Sequence, residues 1–259
     1  MKAPLQRRMP PLIPVRALAP TLLTVLALCS GVTSMRYAFQ ERWEAAVIAI
    51  LLASLFDMLD GRVARMIKGT TKFGAELDSL SDVICFGVAP GVILWLWALH
   101  DVRGFGWAVV LLYAVCCALR LARFNIMDQN AAEDGTVQRH FMGMPAPAAA
   151  GLALVPLALT FHTESDFFRE PVVCTIYLAL LALMMISRVP TFSAKHIKVN
   201  RHAVMPILLA AAALAALLTS FFWATYVILA LIYALSLPVV VLQSRREQRQ
   251  PLAAPPADE

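Results

Sequence analysis

The sequence predicts an all-α membrane protein, a polytopic bundle of about eight transmembrane helices. Three observations carry that prediction. Of 259 residues, 60% are hydrophobic and only 15% charged, whereas a soluble domain is charged at roughly one residue in four. Runs of roughly 18 to 25 mostly apolar residues recur along the chain, and about 20 suffice for a helix to cross the hydrocarbon core. Lysine and arginine alternate between successive connections, as they do when retained on the cytoplasmic side.

Taken in order, the spans are 18–38, 44–66, 78–99, 105–124, 144–162, 171–188, 203–222 and 224–242. The first reads as a retained span. Pro4, Pro10, Pro11 and Pro14 interrupt the basic stretch before it, and no small-residue cleavage site follows it. The second and third carry the acidic residues developed below. Gly87 and Gly91 in the third form a small-xxx-small pair suited to helix packing, and the alanine and leucine stretches of the last three spans, such as 210–216, permit close helix approach in lipid. Cys29, Cys85, Cys116, Cys117 and Cys174 all fall inside spans without metal-ligand spacing and read as free, packing thiols.

Charge sets the orientation. One side holds Lys2, Arg7, Arg8 and Arg16, then Arg62, Arg65, Lys68 and Lys72, then Arg120, Arg123 and Arg139. Arg188, Lys195, Lys198, Arg201, Arg245, Arg246 and Arg249 complete it, for 18 of the 22 basic residues. The other side has Arg36, Arg42, Arg103 and Arg169 among Glu41, Glu44, Asp101, Glu164, Asp166 and Glu170. Both termini are therefore expected in the cytoplasm. Residues 1–17 are expected to form a basic cytoplasmic tail, 18–243 a single membrane-embedded domain, and 244–259 a cytoplasmic C-terminal tail. The net charge of +5 reflects this asymmetry and favours anionic membrane lipids rather than nucleic acid.

The chemistry lies between Asp57 and Asp82, which reads D-M-L-D-G-R-V-A-R, eight residues, then G-A-E-L-D-S-L-S-D. On a helix, Asp57, Asp60, Gly61 and Ala64 fall within an arc of about 100°. Asp78 and Asp82 are one turn apart, about 6 Å along the axis. If the connection around Gly69 and Gly74 reverses the chain, four acids meet at the cytoplasmic ends of two spans. An aspartate inside a spanning helix costs about 2.5 to 3.5 kcal/mol, and neighbouring carboxylates repel. Divalent cations answer both problems: hard oxygen donors suit Mg2+ or Mn2+, and two ions would clamp a pyrophosphate. Gly61 and Ala64 leave room for that group, and Arg65 supplies a guanidinium to a phosphate oxygen. The same acids are also compatible with interfacial ion pairs to Arg62, Arg65, Lys68 and Lys72, or with a divalent-cation transporter. Transport sites, however, favour broken helices near the midplane.

This stretch resembles the signature of the CDP-alcohol phosphatidyltransferase family, D-x2-D-G-x2-A-R-x8-G-x3-D-x3-D, at every fixed position. The resemblance implies a six-helix core with two added spans, a homodimer, and a site open to the cytoplasm. It also implies Asp57, Asp60, Asp78 and Asp82 as ligands of two divalent ions, with Asp82 the catalytic base. Gly61, Ala64, Arg65 and Gly74 would bind the CDP part of CDP-diacylglycerol. The segments F-G-V-A-P (86–90), A-L-R-L-A-R-F-N (118–125) and F-M-G-M-P-A-P (141–147) look like bacterial phosphatidylserine synthases of the integral membrane type. They imply L-serine as acceptor and the bacterial inner membrane as location. Arg120, Arg123 and Asn125 then become candidates for the acceptor carboxylate or a lipid phosphate, with glycerol 3-phosphate, inositol phosphate or choline as alternative acceptors. His140 reads as a solvated interfacial residue. Pro20 is followed by Thr21 where many relatives carry asparagine, so Thr21 or Thr24 is expected to take over its contact.

Overall fold

The computed structural model describes residues 18–67, 71–102, 104–133, 141–142, 144–187, 190–191 and 204–248. The basic residues of the N-terminal tail lie outside the described residues. So do Lys68, Gly69, Arg103, Arg139, His140, Gly143, Arg188, Lys195, Lys198, Arg201 and Arg249.

α1 (Ala19–Phe39) and α2 (Trp43–Ile67) form an antiparallel hairpin. The buried face of α1 is Pro20, Thr24, Ala27, Gly31, Ser34 and Ala38, and that of α2 includes Ala46, Ala49 and Ala53. Small residues at these spacings let backbones approach, the packing available where lipid removes the hydrophobic drive between helices. A Cβ on Gly31 would overlap Cys85 of the third span, so that crossing is closed to larger residues. Between α1 and α2 the chain turns through Glu41, at φ 57°. The Glu41 N–H donates to the Ala38 carbonyl (3.0 Å) and the Arg42 N–H to the Tyr37 carbonyl (2.9 Å), which together make a Schellman turn.

The third span is one rod of alternating geometry. α3 (Lys72–Asp82) is followed by a π-helical turn (Val83–Val88), α4 (Ala89–Leu94) and a second π-helical turn (Trp95–Leu99). The Thr71 side chain caps its start, accepting from the Gly74 N–H at 3.0 Å. Pro90 has no N–H for the Phe86 carbonyl one turn earlier. The hydroxyl of Tyr113, on α5 (Phe105–Glu133), donates to that carbonyl instead, at 3.0 Å, from a fully buried position.

The fifth span repeats the device. It breaks at Leu154 into α6 (Ala146–Ala153) and α7 (Val155–Thr163), and Pro156 frees the Leu152 carbonyl. Tyr177 on α8 (Pro171–Ile186) donates to it at 2.7 Å. Tyr226, on α10 (Phe222–Gln248), donates to the neighbouring Gly151 carbonyl. Without water, a freed carbonyl needs an internal partner, and here tyrosine hydroxyls supply it.

α9 (Val204–Ser220) packs on α10, and α10 packs on α7. Leu208, Leu209, Ile228 and Ile232 on these helices face outward, as does Leu180 on α8. Among the described residues, eight helical rods lie at the positions of the expected spans. Four of them, Ala19–Phe39, Phe73–Leu99, Phe105–Met127 and Ala146–Thr163, are long and apolar enough to cross a membrane. Pro171–Ile186, Leu208–Ser220 and Phe222–Ser236 are shorter apolar helices, and α2 is the rod that carries Asp57, Asp60, Arg62 and Arg65.

Two differences from the sequence reading concern the same end of the bundle. The fourth helix was expected to end near residue 124 but runs to Glu133, because no glycine or proline stops it. The segment before the fifth span was expected only to lead into a helix. Besides doing that, it pairs antiparallel through β1 (Phe141–Met142) with β2 (Pro190–Thr191). All five tryptophans, Trp43, Trp95, Trp97, Trp107 and Trp223, gather at the opposite end of the bundle, where aromatic rings mark a membrane interface.

Candidate active site

α2 and α3 meet at the end away from the tryptophans, with Asp57 and Asp60 facing Asp78 and Asp82. One carboxylate oxygen from each of Asp57, Asp60 and Asp78 lies within 4.8 Å of the other two. Asp82 completes the group through a direct side-chain contact with Asp57. The expected four acids are therefore together, three as a compact oxygen triangle and the fourth beside it. Two unit charges 4.8 Å apart repel by about 3 kcal/mol at an effective dielectric near 20.

Among the described residues, neither Arg62 nor Arg65 relieves that repulsion by ion pairing; Lys68 and the Lys72 side chain lie outside the described residues. Arg65 turns its Nε to the Gly61 carbonyl at 2.9 Å, and Arg62 is exposed. Asp60, only 3% exposed, instead accepts from the Thr24 hydroxyl on α1 at 2.7 Å. Thr24 also lies 3.2 Å from the Pro20 carbonyl of its own helix. A compact set of hard oxygen donors, half shielded from solvent and held by a neutral hydroxyl, fits a divalent cation. Asp57, Asp60 and Asp78 are the residues that would hold it.

Beside the acids is a cleft of about 180 Å³, lined by Thr21, Asp60, Gly61, Ala64, Arg65 and Gly74 among others. All four residues expected to meet a nucleotide thus line one space. A Cβ on Gly61 would meet nothing within 4 Å, so glycine there leaves the cleft open. A Cβ on Gly74 would come within 3.1 Å of the Thr71 Oγ1 and 3.4 Å of the Thr21 Oγ1, closing the cleft against α1. Thr24 therefore touches an acid, while Thr21 forms cleft wall.

Arg120 and Asn125 reach the site from α5. Arg120 is half-buried near Asp82 and Tyr233, and its buried Nε has no hydrogen-bond partner among the described residues. Asn125 donates through Nδ2 to the Ser79 Oγ at 2.8 Å, tying α5 to the turn of α3 between Asp78 and Asp82. Arg123 is half-buried on the same helix.

Sequence reasoning missed Thr71, Ser79 and Tyr233. Thr71 had a signal, a threonine immediately before a helical run with glycine at the third position. Ser79 and Tyr233 had none, since their relevance comes from contacts 46 and more than 100 positions along the chain.

A helical membrane bundle in which clustered carboxylates border an open cleft has the donors and the space that metal-assisted transfer of phosphate groups needs. The CDP-alcohol phosphatidyltransferase family matches residues 17–241, and the chain belongs to that family, as a multi-pass integral membrane protein. It is similar to the CDP-diacylglycerol–serine O-phosphatidyltransferase of Mycobacterium leprae (strain TN), at 36% identity over 87% of this chain and 75% of that one. The enzyme of the same name from Mycobacterium bovis (strain ATCC BAA-935 / AF2122/97) is 34% identical over 87% of this chain and 79% of its own. That of Helicobacter pylori (strain ATCC 700392 / 26695) is 35% identical over 71% of this chain and 75% of its own.

Proposed function

We propose that this protein transfers the phosphatidyl group of CDP-diacylglycerol to the hydroxyl of L-serine, giving phosphatidylserine and CMP. The observation that carries the reaction type is the triangle of Asp57, Asp60 and Asp78 oxygens at the wall of a cleft kept open by Gly61. The names of the relatives support serine as the acceptor.

Gly61, Ala64, Arg65 and Gly74 bind the CDP part, with the diphosphate directed at the acids. Asp57, Asp60 and Asp78 would hold divalent ions, two of Mg2+ or Mn2+, which when bound would supply positive charge to the diphosphate and to the departing CMP. Asp82, beside Asp57, takes the proton of the serine hydroxyl. The freed oxygen forms a bond to the phosphorus that carries diacylglycerol, and the bond from that phosphorus to the CMP oxygen breaks. Arg120, with a guanidinium nitrogen unpartnered beside Asp82, pairs with the serine carboxylate. Arg123 serves the same carboxylate or a lipid phosphate, and Asn125 holds α5 against α3 through Ser79.

The carboxylates face the cytoplasm of a bacterial inner membrane, the side to which the alternating basic residues point. Residues 18–243 act as one catalytic domain, in a homodimer. The test is CMP release by purified protein given Mg2+ or Mn2+ and one acceptor at a time: serine, glycerol 3-phosphate, inositol phosphate or choline. Serine-dependent release that vanishes in Asp82→Ala is expected. Release with a different acceptor alone overturns serine, and none with any acceptor, from folded protein that binds metal, overturns the transfer reaction.

A further inference from the structure

At the end of the bundle opposite the carboxylates lies a second cleft, of about 500 Å³, where the α1–α2 turn meets the end of α7 and the start of α10. Its polar rim is Glu41, Arg42 and Glu44, and its aromatic wall is Trp43, Phe161 and Trp223. Between Glu44 and Asp60 α2 rises about 24 Å, so the two clefts open at opposite faces of the hydrocarbon layer. The tryptophans gathered at this end place it at headgroup level.

The rim is built at a conformational cost. Glu41 occupies the left-handed position of the Schellman turn, at φ 57°, which glycine takes without steric penalty. A glutamate is therefore the unfavourable choice for the turn itself, and it lines the cleft together with Glu44. Arg42 is held over the Tyr37 ring, 5.1 Å from its centroid. Phe161 and Trp223 stack at 5.1 Å with an interplanar angle of 13°, so both rings line the cleft as one aromatic pair. Ile48 gives the cleft an apolar, outward-facing floor.

We infer that this cleft binds the headgroup of a zwitterionic, ammonium-bearing phospholipid in the leaflet opposite the catalytic carboxylates. Glu41 and Glu44 receive the ammonium group, and the face of Trp223 adds a cation–π contact. Arg42 pairs with the phosphate, and an acyl chain runs down past Ile48. A purely anionic headgroup meets two carboxylates for one guanidinium and is repelled. The inference rests on the second cleft alone and stands whether or not serine is the acceptor.

The test is native mass spectrometry of the full-length protein released from detergent micelles containing dioleoyl phosphatidylethanolamine or dioleoyl phosphatidylglycerol. Two exposed ion pairs and one cation–π contact together correspond to about tenfold tighter retention of phosphatidylethanolamine. That preference is expected to fall to parity in Glu41→Gly/Glu44→Gln and to persist in Glu164→Gln, a glutamate outside the cleft that also has positive φ. Because glycine suits the turn, the double variant stays folded, and Trp223→Ala gives an independent loss. Equal retention of the two lipids by the wild type, tighter phosphatidylglycerol, or a preference that survives Glu41→Gly/Glu44→Gln overturns the inference.

Discussion

Replacing Thr24 with valine removes one hydroxyl from beneath the carboxylates while keeping the branched shape of the side chain. Thr24 is 3% exposed, and its hydroxyl lies 2.7 Å from the Asp60 Oδ2. A hydrogen bond to a charged group contributes about 1.5 to 3 kcal/mol. Its loss frees Asp60 to rotate away from Asp57 and Asp78, which at 1.4 kcal/mol per decade weakens cation binding about 10- to 100-fold. The assay is CMP release as a function of Mg2+ concentration, with Thr24→Ser as the rescuing variant. Thr24→Val should need the higher cation concentration for half-maximal rate and approach wild-type rate at saturation, while Thr24→Ser should behave as wild type. A folded Thr24→Val protein with an unchanged cation requirement refutes the idea that Thr24 orients Asp60.

Gly61→Leu should fold normally, since a Cβ there meets nothing within 4 Å, yet fill the cleft and lower kcat/KM for CDP-diacylglycerol by about 100-fold. Unimpaired turnover would show that the substrate lies elsewhere. Asp82→Asn should lower kcat by about 10²- to 10⁴-fold. Electron paramagnetic resonance should find Mn2+ still bound through Asp57, Asp60 and Asp78, and a wild-type kcat would exclude Asp82 as the base. Tyr113→Phe strips the buried Phe86 carbonyl of its partner and should cost about 1 to 3 kcal/mol of stability. Thermal unfolding in detergent reads this directly, and an unchanged midpoint would mean that the π-helical turn does not need the hydroxyl.

The parts of this structure that were legible in the sequence are those governed by one helix at a time. Spacing by itself puts Asp57, Asp60, Gly61 and Ala64 on one face of α2, and the signature joins them to Gly74, Asp78 and Asp82 on α3. The structure brings these residues to one cleft and one acid cluster. What was hidden depends on partners distant in the chain. Pro90 announces a missing donor, but not that Tyr113 fills it, nor that the helix widens into a π turn before the proline. The same holds for Pro156 and Tyr177. Thr24 could be named as a substitute for an amide, but its partner was identifiable only once α1 lay along α2. The second cleft was invisible for a related reason. Glu41, Trp43, Phe161 and Trp223 come from three separate stretches, and only tertiary packing joins them.

The most direct test of the carboxylate site is serine-dependent CMP release before and after chelation of divalent cations, in wild-type protein and in Asp57→Asn/Asp78→Asn. Release should stop on chelation and return with Mg2+ or Mn2+ in the wild type, and should not return in the double variant. Release that continues in chelator, or that the double variant recovers fully, would contradict the assignment of Asp57, Asp60 and Asp78 as the cation-holding centre of phosphatidyl transfer.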